Sequence, residues 1–408
     1  MKRKYILKII IILLIVPLLF FIGCTKNNQN SINTVDKEKT PAAESKKIKV
    51  GVLLPYTGVF ADLAENNERG MRIAFEEAAA ENNNYQIVMI KEDTEATPNV
   101  GLQKAKKLVL SDKVDLIIGI VSSSVAYAVK DFVDQQKIPV IITVSEAREL
   151  TREKGSPYIF RTFLAAGQAD YPFGKYANEN LGYKTAVIMG PDYAAGHEKA
   201  DAFIQGFTEA GGQIVQEIYP PLGSSDYGPY LSQLKQADFV WTFLGGGNDA
   251  IKFVKQYEEY GIKAKMPLLF SGGGVDESIL PSIGDAAIGI VSVSNYSALL
   301  DTPENKELVK ATTNKYNIVP NQFLNAGYVA AKTALSAIDK LEGNIEEKDK
   351  FLKALKSVEF PAPQGLFRFH PESQNGIFDA YIRRVEKLSD GTLGNVVIDK
   401  IPNVTDRW

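Results

Sequence analysis

From Ile48 onward the chain alternates short, uninterrupted apolar runs with longer stretches whose apolar residues recur at helical spacing. This rhythm constrains the fold more than any other feature. The runs IKVGVLLP (48–55), YQIVMIKE (85–92), VDLIIGI (114–120) and PVIIT (139–143) read as strands buried on both faces. Such strands belong to parallel sheets covered by crossover helices. Between them, ERGMRIAFEEAAA (68–80) places Met71, Phe75 and Ala78 on one helical face. In TPNVGLQKAKKLVL, Thr97 is a candidate N-cap with Pro98 in the first turn. A second series follows: TAVIMG (185–190), QIVQEIYP (213–220), DFVWTFL (238–244), PLLFSG (267–272) and IGIVSVSNY (288–296), with helical segments at 195–210 and 248–260. Helical stretches at 303–316 and 321–342 come next, and the end turns strand-like in GLFRFHP, DAYIRRVEKL and NVVIDKI. The expectation is an α/β protein of two lobes joined by chain crossovers.

Composition removes several functions. A single cysteine rules out an internal disulfide or a multi-cysteine metal cluster, and two histidines leave little for a histidine metal site. No metal and no cofactor are expected. A formal charge of −3 argues against nucleic acid as partner. The sequence contains no G-x-x-x-x-G-K-[ST] and no G-x-S-x-G, and neither glycine triplet forms G-x-G-x-x-G in a strand–helix context. His197 and His370 have no serine or carboxylate at a spacing that makes a base. The chain is not expected to be an enzyme.

The N-terminus carries a separate message. Lys2, Arg3, Lys4 and Lys8 precede an apolar run over 9–22 that contains Pro17. The run is shorter than the ~20 residues of a spanning helix and suits the core of an export signal. It ends in Phe21-Ile22-Gly23-Cys24, which resembles a bacterial lipobox. That resemblance implies cleavage before Cys24 and a diacylglycerol on its thiol, so that acyl chains such as palmitate hold the protein at a membrane surface. The alternative is an uncleaved anchor with an incidental cysteine. Residues 25–47 are polar and rich in Asn and Lys, unable to offset their ordering entropy by burial. They read as a flexible tether with a reach of about 25–30 Å.

Open parallel sheets bind ligands past the carboxyl ends of their strands. The loops there are small and polar: Ser122, Ser123 and Ser124; Thr143 to Glu146; the glycines before Asn248; and the triplet starting at Gly272. Serines at a helix start offer hydroxyl and backbone N–H donors to a carboxylate. The plain alternative is that Ser123 or Ser124 is an N-cap. Tyr and Phe in such loops suit the walls of an amphiphilic pocket.

A lipobox, a tether and then IKVGVLLPYTG with ERGMRIAFEEA resemble type I periplasmic binding proteins of the branched-chain (Leu/Ile/Val) amino-acid class. DLIIGIVSSSVAYAV, IPVIITVSEARELT, YIFRTF, TAVIMGPDYAAG, DFVWTFLGGG and NQFLNAGYVAAKTAL extend the likeness over residues 48–390. The resemblance implies two mainly parallel sheets flanked by helices, with three hinge crossovers near 164–167, 295–298 and 361–365. One lobe comprises 48–165 plus 297–361, the other 166–296 plus 362–408, preceded by a signal peptide (1–23) and tether (24–47). It also implies a site: Ser123 with Ser124 for the ligand carboxylate, a Val144 backbone group, Glu146 where a hydroxyl is usual with Ser145 as stand-in, and Phe323. Several positions depart from the pattern. Family aromatics fall on Leu63, on Ala195 (with Tyr193 close by) and on Gly245 or Gly246. The acid that pairs with the ligand ammonium falls on Gly273, leaving Glu146, Asp249 or Asp276 as substitutes. A roomier pocket follows.

The implied function is an extracytoplasmic, lipid-anchored, monomeric solute-binding protein of an ABC importer. It captures a small polar organic ligand and delivers it to permease subunits. An amino acid, branched-chain or related, leads. An amide, a urea-like compound or an aromatic carboxylate is the alternative, as is a sensory module of the same fold.

Overall fold

The computed structural model describes residues 46–81, 84–152, 155–244 and 247–406. The expected signal peptide, the expected lipidation site Cys24 and most of the expected tether lie outside them. The first sheet contains β1 (Lys46–Leu54), β2 (Tyr85–Asp93), β3 (Leu116–Gly119), β4 (Val140–Ile142) and β5 (Ile159–Arg161), all parallel in the order β2-β1-β3-β4-β5. It is threaded by α1 (Ala61–Glu81), α2 (Pro98–Lys106) and α3 (Ser123–Gln136). Alternation along β1 explains the layers. Ile48, Val50, Val52 and Leu54 point to a core shared with α1, while Leu53 joins the core formed with α2 and α3.

The chain crosses after β5 to α4 (Asp170–Glu179), β6 (Thr185–Met189), α5 (Ala194–Glu209), β7 (Gln213–Ile218), α6 (Gly228–Leu231), β8 (Phe239–Phe243), α7 (Asn248–Glu259), β9 (Leu268–Ser271), α8 (Leu280–Ile283) and β10 (Val291–Ser294). Parallel pairing gives β7-β6-β8-β9-β10. Along β8, Phe239 and Trp241 pack on Phe203 and Phe207 of α5, and Val240 faces the α7 side with Phe253.

The chain then returns to the first lobe as α9 (Pro303–Tyr316), α10 (Gln322–Asp339) and α11 (Lys348–Lys356). Ile73 of α1, Leu308 of α9 and Leu324 of α10 share one small core. The last four strands, β11 (Glu359–Ala362), β12 (Gly365–Phe369), β13 (Gly376–Lys387) and β14 (Leu393–Val404), extend the second sheet antiparallel through the β10–β13 pair. This α/β architecture of two helix-flanked lobes agrees with the sequence expectation. The short strands β5 and β11 escaped the apolar pattern because they carry Arg161 and Pro361 within three or four residues. Thr97 stands at the cap position of α2, but its hydroxyl donates to the Glu95 carbonyl instead of capping. Among the described residues no helix is long and apolar enough to cross a membrane.

Candidate functional site

A cleft of about 470 Å3 opens where the carboxyl ends of both sheets face each other. The first lobe supplies Phe60 and Leu63 after β1, Ser122, Ser123 and Ser124 after β3, Val144 and Glu146 after β4, and Gln322 and Phe323 from the start of α10. The second supplies Tyr193, Ala194 and Ala195 after β6, Leu222 after β7, Phe243 at the end of β8 and Gly273 after β9. Phe163, on the first crossover, stacks on Phe323 with centroids 6.4 Å apart, and Tyr193 stacks on Phe243 at 6.5 Å. The cleft is walled by aromatic faces.

Its polar groups concentrate at helix starts. Ser122 holds the cap position of α3 in extended conformation without capping it; its hydroxyl pairs with Ser124 at 2.9 Å. Ser123 and Ser124 are therefore first-turn residues and not N-caps. The N–H groups of that turn have no intrahelical acceptor and carry the positive end of the helix dipole. At α5, Tyr193 is likewise a cap residue whose side chain makes no cap bond. The start of α10 differs: the Asn321 side chain accepts from the Phe323 and Leu324 N–H groups. Two long helices, one per lobe, thus bring unsatisfied positive ends to the cleft.

Glu146 is the only carboxylate lining the cleft among the described residues. Its partner is Lys199 of α5, at 2.8 Å, which also pairs with Asp170 at 3.2 Å. Lys199 and Asp170 are almost fully buried. Burial opposes the Lys199 charge, yet the attraction of Asp170 and Glu146 outweighs it and raises the ammonium pKa. Burial pushes the Glu146 carboxyl up, against the attraction of Lys199. Burial also raises the Tyr193 and Tyr127 hydroxyls, so both stay protonated donors at the cleft.

Gly273 is set by packing. A Cβ there would stand 2.7 Å from the Gln322 side-chain nitrogen and 2.9 Å from the Phe323 ring, closer than real contacts allow. A side chain at this position would require Gln322 and Phe323 to move aside. Phe323 is placed from α1, where the buried Asn67 amide donates to its carbonyl at 3.0 Å.

Of the residues expected from sequence, Ser123, Ser124, Val144, Glu146, Tyr193 and Phe323 come together on this cleft, as do Leu63 and Ala195. Ser145 is buried behind it, its hydroxyl donating to Ser123 at 3.4 Å and its carbonyl accepting from Arg161 at 3.0 Å. Gly246 lies outside the described residues. Asp249 does not line the cleft and accepts from the Gly223 N–H. Asp276 lines a smaller neighbouring cavity that shares Gly273 and Phe323 with the cleft. Sequence reasoning missed Gln322, Phe163 and Phe243. Phe243 lies in a run read as a strand and Phe163 in the YIFRTF motif of the family resemblance, while nothing in the sequence marks Gln322.

Helix-flanked parallel sheets in two lobes, with one ligand-sized cleft at their facing carboxyl ends, define a substrate-binding protein of the ABC-transporter class. The periplasmic binding protein family model matches residues 47–392, and the chain belongs to that family. A Leu/Ile/Val-binding protein homolog of Brucella melitensis is 28% identical, covering 87% of this chain and 91% of the relative. The structure of an ABC transporter substrate-binding protein from Sphaerobacter thermophilus superimposes with a TM-score of 0.85 at 43% identity, covering 88% of this chain and 99% of that one. A solute-binding protein from Rhodopseudomonas palustris, in complex with 3,4-dihydroxybenzoic acid, gives a TM-score of 0.83 at 30% identity over 88% of this chain and 99% of that one.

Proposed function

We propose that the protein captures an aromatic carboxylate between its lobes and delivers it to the permease of an ABC importer. In this reading residues 1–23 are an export signal and Cys24 carries the lipid. The jaws are 48–165 with 297–361 and 166–296 with 362–408. The observation that carries the ligand class is Glu146. The one carboxylate on the cleft wall among the described residues is held by Lys199, while the α3 first turn and its serines remain open to an anion. A zwitterion would bury its ammonium beside an acid already paired with Lys199, and Gly273 supplies no second carboxylate.

Magnitudes favour the ring as the source of affinity. Burying about 150 Å2 of aromatic surface at about 25 cal/mol per Å2 contributes about 4 kcal/mol. An anion at a helix N-terminus adds only ~0.3–2 kcal/mol. The walls supply strength and the α3 end supplies orientation.

Calorimetric titration of the refolded, ligand-free chain with benzoate, 4-hydroxybenzoate, leucine and isoleucine tests this. The aromatic acids should bind with micromolar or tighter affinity and raise the melting temperature. Binding of leucine or isoleucine without either aromatic acid overturns the ligand class and favours the amino-acid function suggested by the Brucella relative. Recovery of a chemically altered ligand overturns a purely binding role.

A further inference from the structure

We propose that Gln322 selects among ring-bearing acids by donating its side-chain amide to an oxygen on the ligand ring. This rests on the reading of the cleft as an aromatic carboxylate site. Gln322 opens α10, is only 2% exposed, and lies on the cleft wall beside Phe323. Its carbonyl oxygen accepts from the Ser294 hydroxyl at 2.7 Å. That same hydroxyl oxygen accepts from the Tyr296 N–H at 3.3 Å, leaving its proton for Gln322. The orientation of the amide is thereby fixed, with oxygen toward β10 and nitrogen toward Gly273. The main chain is tied too, the Gln322 N–H donating to Asp276 at 3.4 Å.

The nitrogen has no acceptor among the described residues. Gly273 presents no side chain to it, and a Cβ there would sit 2.7 Å away. The bare glycine therefore leaves an oriented, nearly buried N–H2 facing the ligand space. A site built with such a donor discriminates strongly, because an analogue without the matching oxygen leaves the donor unpaired. The Phe163–Phe323 stack borders the same corner, so a ligand ring packed on it carries its edge substituents toward the amide. A ring hydroxyl or ring carbonyl supplies the acceptor; the carboxylate belongs to the α3 serines.

The test compares benzoate with 4-hydroxybenzoate on the full chain and two variants. The wild-type protein should prefer the hydroxylated acid about tenfold. Gln322→Leu should reduce that ratio to about one, and Ser294→Ala, which frees the amide to rotate, should lower the ratio partway. Circular dichroism and the melting midpoint establish that each variant is folded; if Gln322→Leu is not, Ser294→Ala decides by itself. An unchanged ratio in the variants, or an equal loss for both acids, overturns the assignment of Gln322 while leaving the aromatic-acid reading in place. Failure of both acids to bind wild-type protein overturns that reading and the assignment together.

Discussion

Glu146 shows how a residue changes meaning with its surroundings. In the sequence it is an acid where a hydroxyl is usual and a candidate partner for a ligand ammonium. In the fold it is joined to Lys199 across the lobes, with Asp170 completing a buried triad. Lys199 also stands 4.9 Å from the centre of the Phe243 ring on the cleft wall. Replacing Lys199 by methionine leaves two buried carboxylates facing each other, so Lys199→Met should cost about 3–5 kcal/mol of unfolding free energy at pH 7. Part of the loss should return at pH 5, because burial already pushes the Glu146 carboxyl up and removing the ammonium pushes it further. Urea unfolding at the two pH values measures both effects; a loss below ~1 kcal/mol at pH 7 would show that the triad contributes little. The placement of Ser123 on the cleft was legible in the sequence because it follows a strand whose carboxyl end faces the ligand side of a parallel sheet. The pairing of Glu146 was not, because Lys199 belongs to the other lobe and nothing local marks it.

At the scale of elements, the cleft depends on how closely α10 lies on α1. A methyl at Gly70 would strike the Leu324 carbonyl, and one at Gly327 would strike the Asn67 carbonyl. Both glycines permit a backbone-to-backbone approach that any side chain blocks. The same Asn67 holds the Phe323 carbonyl, so this contact sets where Phe323 and Gln322 enter the cleft. Gly327→Ala should therefore destabilise the protein by about 1–3 kcal/mol and weaken binding of an aromatic acid, without touching the ligand. Thermal unfolding and titration of the same variant check the two together; a stability loss with unchanged affinity would separate the helix contact from the site. Both helices were readable from their apolar spacing. Their crossing was not, since a glycine inside a helix reads locally as a weak former and shows its use only when the facing backbone is in place.

For the molecule as a whole, the second lobe contains a charge that couples stability to pH. Asp276 is buried beside Glu277, and burial first, then that neighbouring acid, push its carboxyl up to about 7 despite the attraction of Arg383. Its ordinary value is 3.8. A folded-state value above the unfolded one favours the protonated native form, so this stabilisation is fully present below about pH 4 and is lost as pH rises through 7. The slope is at most about 1.4 kcal/mol per pH unit. Relative to Asp276→Asn, the wild-type protein should lose melting temperature steadily between pH 5 and pH 7. Parallel curves for the two proteins would show that Arg383 keeps Asp276 ionised throughout.

The sequence by itself determined the α/β class, the strand–helix order and most of the loops that line the cleft. Those follow from local periodicity and from the fixed relation between parallel strands and their carboxyl-end loops. It also carries the lipobox resemblance at Cys24 and the polar stretch after it, from which an export signal, a lipid and a tether are expected. The tertiary structure decided the character of the site: the pairing of Glu146 with Lys199, the filling of the Gly273 corner by Phe323 and Gln322, and the facing aromatic pairs. Each of these joins segments far apart in the chain, and long-range packing leaves no periodic trace in the segments it connects.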